Sequence, residues 1–268
     1  MENTILSPLE ISRAIRSIGE KKANAGLLEL FIFGVLAGIY ISFGAHCAIA
    51  VLSDSTLNPC IAKFLAGSVF SVGLMLVLIP GSELFTGNIL MAIGFIYHRY
   101  TFTKMLRNWL IVYFGNLCGA LLIVWLVFKA GLLGQGGNVT AVGITAVKIA
   151  QTKLQLGFGS AIALGILCNM LVCLAVIMSL ASRTVIGKIF GIYFPILTFV
   201  VSGYEHSVAN MYFLPAGLLA SGEGFSQFLN IFNNLIPVTI GNIIGGLLIV
   251  LLHPKVEERI ARSLLHKE

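Results

Sequence analysis

Residues 233–250 read NNLIPVTIGNIIGGLLIV, and residues 108–124 read NWLIVYFGNLCGALLIV. A shift of 126 positions aligns the two segments. The coinciding positions are Asn108 with Asn234, Gly115 with Gly241, Asn116 with Asn242, Gly119 with Gly245, and residues 121–124 with 247–250. This match is too dense for two unrelated apolar segments, so the sequence predicts an internal repeat.

A second pair of segments carries polar residues at matching positions. Residues 81–88 read GSELFTGN, and residues 203–210 read GYEHSVAN. A shift of 122 pairs Gly81 with Gly203, Glu83 with Glu205, and Asn88 with Asn210. A weaker match joins GVLAG at 34–38 to GILCN at 165–169. The repeat therefore divides most of the chain into two related halves.

The composition places both halves in a membrane. Hydrophobic residues make up 57% of the chain and charged residues only 10%, whereas soluble domains carry about 25% charged residues. A membrane-spanning helix needs about 20 apolar residues. Six segments approach or exceed that length: 27–52, 61–97, 109–133, 157–182, 186–220 and 228–252. The second and fifth are too long for one simple crossing, and glycine and polar residues interrupt each near its middle.

Each half contains three of these segments, so the second half must enter the membrane from the opposite side. The sequence thus predicts an all-α integral membrane fold, with six transmembrane helices arranged as an inverted 3+3 repeat. Broken second and fifth helices at corresponding positions mark a transport site. Their half-helix N-termini expose backbone N–H groups, which attract anions.

The distribution of lysine and arginine predicts the orientation, because these residues concentrate on the cytoplasmic side. One side carries Arg13, Arg16, Lys21, Lys22, Arg99, Lys104, Arg107, Arg183, Lys188, Lys255, Arg259, Arg262 and Lys267. The other side carries Lys63, Lys129, Lys148 and Lys153. The sequence therefore predicts a multi-pass protein of the cytoplasmic (inner) membrane with both termini in the cytoplasm.

The N-terminal segment 1–26 is predicted to form an amphipathic helix along the membrane or a partner surface. Ser7, Pro8 and Glu10 fit the N-cap, N1 and N3 positions of a helix start. Isoleucines then recur at helical spacing, at Ile11, Ile15 and Ile18. The channel domain is expected to cover 27–252, followed by a cytoplasmic tail at 253–268.

Glu205 and His206 lie in the interruption of the fifth segment. A charge in mid-bilayer costs at least about 2.5–3.5 kcal/mol, so such residues normally face a cavity and have a function. Glu205 has an equivalent in Glu83, which favours a structural role in holding the broken backbone. His206 has Leu84 at the equivalent position, so the symmetry alone does not require a polar group there.

The chain resembles the formate/nitrite transporter family along nearly its whole length. The matching segments are GSELFTGN (81–88), NWLIVYFGNLCGA (108–120), LGILCNMLVCLAV (164–176), SGYEHSVANM (202–211) and NLIPVTIGNIIGG (234–246). The resemblance implies an aquaporin-like protomer fold assembled into homopentamers, with one pore in each protomer.

The resemblance also implies roles for individual side chains along that pore. Leu84 and Phe199 correspond to a cytoplasmic hydrophobic slit, and Phe70 and Val172 to a periplasmic constriction with Asn169 beside it. Thr86 and His206 correspond to the polar pair between the two slits. Glu205 and Asn210 correspond to residues that hold the histidine loop, with Glu83 and Asn88 as their repeat equivalents, and Lys153 to a basic residue of the periplasmic vestibule.

The expected function is a passive channel or proton-coupled transporter for small monovalent anions, with formate as the favoured substrate. His206, with an ordinary pKa of about 6.5, is expected to supply the proton that the anion takes up, either its own or one passed from water through it. Nitrite, hydrosulfide and short monocarboxylates are alternatives within the family. The expected partners are the anion, a proton, membrane lipid and further copies of the chain; no nucleic acid, cofactor or metal is expected.

Two other classes share part of the pattern. An aquaglyceroporin would have the inverted repeat, but with paired Asn-Pro-Ala breaks; here Asn-Pro occurs only at 58–59. An intramembrane enzyme is disfavoured, because the second interruption lacks an H-E-x-x-H pattern. His46 is expected to be a packed or interfacial histidine, with a place in the outer vestibule as the alternative.

Overall fold

The computed structural model of the chain describes residues 4–135, 138–222 and 229–253. The helices are Pro8–Asn24 (α1), Leu27–Leu52 (α2), Pro59–Leu78 (α3), Phe85–Asn88 (α4), Met91–Ile96 (α5), Phe102–Lys129 (α6), Ala141–Leu154 (α7), Phe158–Ala181 (α8), Val185–Val201 (α9), Ser207–Ser221 (α10) and Ile231–Leu251 (α11). Two short antiparallel strands, Gly134–Gln135 (β1) and Asn138–Val139 (β2), form a hairpin between α6 and α7. Of the predicted C-terminal tail (253–268), only His253 lies within the described residues.

Within the described part of the chain, five helices are long and apolar enough to cross a membrane: α2, α3, α6, α8 and α11. They coincide with five of the six predicted segments. Helix α3 corresponds to the first part of the second predicted segment, 61–97. The predicted fifth segment consists of two shorter helices, α9 and α10. The all-α membrane fold is confirmed, whereas the count of six crossings stays a prediction.

Helix α7 was not predicted. Its 14 residues are too few to span a membrane, and polar side chains interrupt its apolar pattern. Thr140 caps its N-terminus by accepting a hydrogen bond from Gly143 N at 3.0 Å. Its small buried residues Ala146 and Ala150 pack against Gly217 of α10, where any larger residue than glycine would overlap both. α7 therefore lies directly against the second broken helix.

Glycines allow the matching helix pairs of the repeat to approach closely. A β-carbon added at Gly119 of α6 would overlap the carbonyl oxygen of Val35 in α2. The equivalent Gly245 of α11 has the same relation to Ile166 in α8. Close backbone contact of this kind drives helix association in lipid, where the hydrophobic effect contributes little.

Both interruptions of the repeat have the same backbone conformation. Gly81 and Gly203 have φ of 94° and 74°, which a side chain would strain. Leu84 and His206 then adopt extended conformations and serve as the N-caps of α4 and α10. We name residues 79–84 the first break and residues 202–206 the second break. The equivalent glycines and N-caps confirm that the two halves fold alike.

Helix α1 packs on its own chain. Its N-terminus has the predicted capping box, in which Ser7 N donates to Glu10 Oε2 at 2.8 Å. The Ser7 backbone N–H and hydroxyl hold the pKa of Glu10 below its ordinary value. At the other end, Arg107 donates to the carbonyl oxygens of Ala23 and Ala25 at 2.9 and 3.0 Å. α1 is thus attached to α6, while its placement along a membrane or partner surface stays a prediction.

Candidate functional site

The second break is held by a buried charge cluster around Glu205. Lys153 Nζ lies 2.7 Å from Glu205 Oε1, and Asn210 Nδ2 donates to Oε2 at 2.6 Å. Asn210 Nδ2 also donates to Asn234 Oδ1 at 2.8 Å, and Asn234 Nδ2 donates to Lys153 O at 2.9 Å. Four residues from α7, the break, α10 and α11 therefore form one closed network.

The first break carries the same network, built from equivalent residues. Lys22 Nζ lies 3.0 Å from Glu83 Oε1, and Asn88 Nδ2 donates to Glu83 Oε2 at 2.7 Å. Asn88 Nδ2 also donates to Asn108 Oδ1 at 2.8 Å, and Asn108 Nδ2 donates to Lys22 O at 3.4 Å. α1 and α7 therefore supply equivalent lysines, so the repeat includes one more helix in each half than the sequence indicated.

A repeat-related asparagine ties each break to the neighbouring helices. Asn116 Nδ2 donates to Gly34 O at 2.8 Å and Glu83 O at 2.9 Å, and its Oδ1 accepts from Phe85 N at 3.0 Å. Asn242 repeats the pattern with Gly165 O at 2.8 Å, Glu205 O at 2.9 Å and Ser207 N at 2.8 Å. These bonds satisfy backbone groups that the breaks would leave unpaired in lipid.

Thr86 and His206 meet between the two breaks. Thr86 Oγ1 lies 2.9 Å from His206 Nε2, and the two residues are 0% and 3% exposed. His206 Nδ1 accepts a hydrogen bond from Ala209 N at 3.0 Å, as an N-cap. Since Nδ1 is an acceptor, the neutral ring carries its hydrogen on Nε2 and donates it to Thr86 Oγ1. The Thr86 hydroxyl hydrogen is then free to donate to a third group.

Aromatic rings pack around this polar pair. Phe199 stacks on the His206 ring at a centroid distance of 6.0 Å and meets Phe70 edge-to-face at 5.6 Å. Phe70 also stacks on Phe213 at 6.4 Å, and Lys153 Nζ lies 5.3 Å from the Phe213 ring centre. Phe70 and Phe199, which the resemblance places in opposite constrictions, are therefore in direct contact here.

The remaining predicted pore residues are buried. Leu84 and Val172 are 2% and 1% exposed. Asn169 is fully buried, and its Nδ2 donates to Thr86 O at 3.2 Å. Leu84 lines a cavity of about 370 Å³ between α1 and the first break, whereas Val172 does not border it. Asn169 is the one of these three that is bonded to the Thr86–His206 pair.

The same cavity shows a residue that the sequence reasoning missed. Lys22 was counted only as a cytoplasmic charge, yet it lines the cavity with Glu83 and Asn88. The shift of 131 that aligns Gly34 with Gly165 also pairs Lys22 with Lys153, so the signal was present in the sequence. Lys153, expected as a vestibule charge, forms an ion pair with Glu205 at 2.7 Å, and its place in a vestibule stays a prediction.

Other titratable residues lie outside these networks. Lys148, on α7, is exposed. His46 Nδ1 lies 2.8 Å from Tyr212 Oη, as a packed histidine would. Among the described residues, no group of three or more His, Cys, Asp or Glu side chains is placed to hold a metal ion.

The chain resembles known proteins in both sequence and overall fold. The chain is 40% identical to a probable formate transporter of Methanothermobacter thermautotrophicus, over 93% of this chain and 96% of the relative. It is 37% identical to the formate channel FocA of Escherichia coli K12, over 92% of both chains. A solved FNT family ion channel superimposes with a TM-score of 0.78 at 27% identity, covering 92% of this chain and 95% of that one. A solved pentameric formate channel with formate bound gives a TM-score of 0.72 at 34% identity, covering 92% and 99%. The family model described as formate/nitrite transporter matches residues 9–255, and the chain belongs to that family.

Proposed function

We propose that the chain is a membrane channel for a small monovalent anion, best formate, which crosses the centre of the pore as the neutral acid. The observation that carries the proposal is the buried Thr86–His206 pair, surrounded by apolar side chains and placed between two broken helices. The relatives named as formate channels and transporters support formate over other substrates.

The energetic balance favours the neutral acid. A carboxyl group with a pKa near 3.5 costs about 4.8 kcal/mol to protonate at pH 7, at about 1.36 kcal/mol per pH unit. Moving a carboxylate into dry protein costs several kcal/mol after relaxation and about 20 kcal/mol in the idealised limit. The aromatic contacts of Phe199 around the central pair make that region apolar. Protonation before entry is therefore the lower barrier wherever desolvation of the anion costs more than about 4.8 kcal/mol.

The two lysine–glutamate clusters add little net charge beside the breaks, so they do not bind an anion tightly. Lys22 and Lys153 each carry a positive charge near one break, but Glu83 and Glu205 neutralise them at 3.0 and 2.7 Å. Each cluster is thus close to neutral overall. The absence of a strong positive charge suits a channel, which must release its substrate as readily as it admits it.

The bonding of His206 indicates how the pair handles the substrate. A proton on Nδ1 would make this atom a hydrogen-bond donor. It would then face a second donor, because Ala209 N–H already points at it. The ring is therefore a neutral hydrogen-bond donor to Thr86, whose own hydroxyl donates to the substrate oxygen. In this arrangement the proton that travels with the anion comes from water in the vestibule and does not pass through His206, unlike in either of the two routes that the sequence suggested.

Uptake by phosphatidylcholine liposomes tests the proposal. Liposomes that contain the protein are expected to take up radiolabelled formate faster than empty ones and to acidify inside as they do so. Nitrite and hydrosulfide, measured in the same preparation, rank the alternatives within the family. Water and glycerol permeation without formate uptake would contradict the proposal and favour a neutral-solute pore.

We further propose that the protein acts by transport rather than catalysis, in a cytoplasmic (inner) membrane with both termini in the cytoplasm. The predicted excess of basic residues on one side supports that orientation. A cysteine introduced at Ser17, on the exposed face of α1, should resist a membrane-impermeant thiol reagent in intact cells and react after lysis.

The proposed assembly is a homopentamer with a pore in each protomer. The pentameric relative covers 92% of this chain, and large apolar side chains such as Phe114 and Trp125 remain exposed on one copy. Native mass spectrometry in a mild detergent is expected to show mostly pentamers. A spectrum of mainly monomers or tetramers would contradict this assembly.

A further inference from the structure

Two buried polar atoms beside the Thr86–His206 pair have no hydrogen-bond partner among the residues that the structure describes. They are Asn169 Oδ1 and Ser207 Oγ, and both residues are fully buried. Buried polar atoms in native proteins are nearly always paired with protein, water or ligand, so each unpaired one needs an explanation.

The orientation of the Asn169 amide follows from its neighbours. Asn169 Nδ2 donates to Thr86 O at 3.2 Å and to Asn242 O at 2.7 Å. Both partners are carbonyl oxygens, which only accept hydrogen bonds, so the nitrogen must face them. The other atom of the amide, Oδ1, is therefore an acceptor without a donor.

Ser207 lies next to His206 at the start of α10. Its backbone N donates to Asn242 Oδ1 at 2.8 Å, so that group is paired, whereas the hydroxyl is not. Asn242 is bonded to both Ser207 and Asn169, and Asn169 is bonded to Thr86. The two unpaired atoms thus belong to one ring of residues that closes through Thr86 and His206.

One acceptor and one hydroxyl match the hydrogen-bonding pattern of an undissociated carboxylic acid. The acid offers an O–H donor and a carbonyl acceptor, whereas its anion offers acceptors alone. An anion facing the Asn169 oxygen would meet another partial negative charge in a dry environment. A site that presents these two groups would therefore favour the acid over its anion.

We propose that Asn169 Oδ1 and Ser207 Oγ form a subsite for the neutral acid. Asn169 Oδ1 accepts the acid's O–H, and the Ser207 hydroxyl donates to its carbonyl oxygen. This inference rests on the proposed function and names the chemical form of the substrate that the centre of the pore selects. No bond is made or broken in the subsite.

Two uncharged probes of equal size test the subsite. Formamide carries an N–H donor where formic acid has its O–H, and acetaldehyde carries a methyl group there. Both stay neutral between pH 4 and 8. In phosphatidylcholine liposomes with the wild-type protein, formamide is expected to inhibit formate uptake at a concentration about three- to tenfold lower than acetaldehyde, the ratio expected for about one net hydrogen bond.

Single substitutions test which side chains cause the preference for formamide. Ser207→Ala and Asn169→Val are expected to remove the preference for formamide over acetaldehyde. Cys173→Ala is the matched control, because Cys173 Sγ also contacts Thr86 O, at 3.8 Å, but supplies no acceptor to the ring. It should keep both formate uptake and the preference. Asn169→Val also leaves the carbonyl oxygens of Thr86 and Asn242 without their donor. If Asn169→Val fails to assemble, Ser207→Ala alone decides the result.

The outcomes separate the two proposals. Equal inhibition by formamide and acetaldehyde, or an unchanged preference for formamide in Ser207→Ala, would overturn the subsite. If the wild-type protein still takes up formate, the proposed channel function is upheld. Failure of the wild-type protein to take up formate would overturn the proposed function, and the subsite with it.

Discussion

Replacing His206 by phenylalanine is expected to reduce formate uptake to the level of liposomes without protein. The substitution keeps an aromatic ring against Phe199 but removes both ring nitrogens. Thr86 loses its donor at 2.9 Å, and Ala209 N loses the N-cap that it binds at 3.0 Å. Loss of an N-cap alone costs about 1 kcal/mol, and unpaired buried polar groups cost about 1–3 kcal/mol each. Stopped-flow measurement of formate uptake and internal pH checks the result.

His206→Asn is the matched variant, because asparagine is among the best N-cap residues and retains a donor. It has no nitrogen that titrates. If His206 acts as a neutral hydrogen-bonding group, this variant should transport formate and carry protons with it between pH 4 and 8, at a reduced rate. Formate uptake without internal acidification would show instead that the histidine supplies the proton.

Replacing Lys153 by methionine is expected to destabilise the protein strongly. Glu205 would lose the ammonium group 2.7 Å away, and the two side chains are only 14% and 6% exposed. Removing one partner of a buried ion pair costs about 3–5 kcal/mol. The unfolding temperature should fall by roughly 6–20 °C, as measured by tryptophan fluorescence in detergent.

Two further variants show whether the Lys153–Glu205 ion pair is responsible for the loss of stability. Lys148→Met, on the exposed face of the same helix, should change stability by less than about 0.5 kcal/mol. Lys153→Met combined with Glu205→Gln removes both charges and should recover part of the lost stability. The Lys153→Met protein could instead be as stable as the wild type and take up formate more slowly, mainly at low ionic strength. That result would show that Lys153 acts as a surface charge that attracts anions.

The sequence determined the membrane class, the repeat and the position of the breaks, because each of these follows from local patterns. Apolar length identifies a membrane helix, whatever it packs against. Gly81 and Gly203 have positive φ where the sequence placed the interruptions. The Ser7–Glu10 capping box also formed as expected, since it involves residues only three positions apart.

Helix α7 shows where local patterns are insufficient. Its buried face consists of small residues such as Ala146 and Ala150, which bury little apolar surface and give a weak periodic signal. The helix is stabilised by packing on α10 at Gly217, a contact between residues about 70 positions apart. Propensity and periodicity in one segment contain no information about such a partner.

The pairing of charges was likewise decided by tertiary structure. Lys22 and Lys153 resemble ordinary solvated lysines in sequence, but they are 61 and 52 residues from the glutamates that they contact. The bonding state of His206 depends in the same way on Thr86, 120 positions away. Residue types and repeat positions follow from the chain itself, whereas the hydrogen-bond partners of a buried group depend on which distant helices the fold brings within about 3 Å of it.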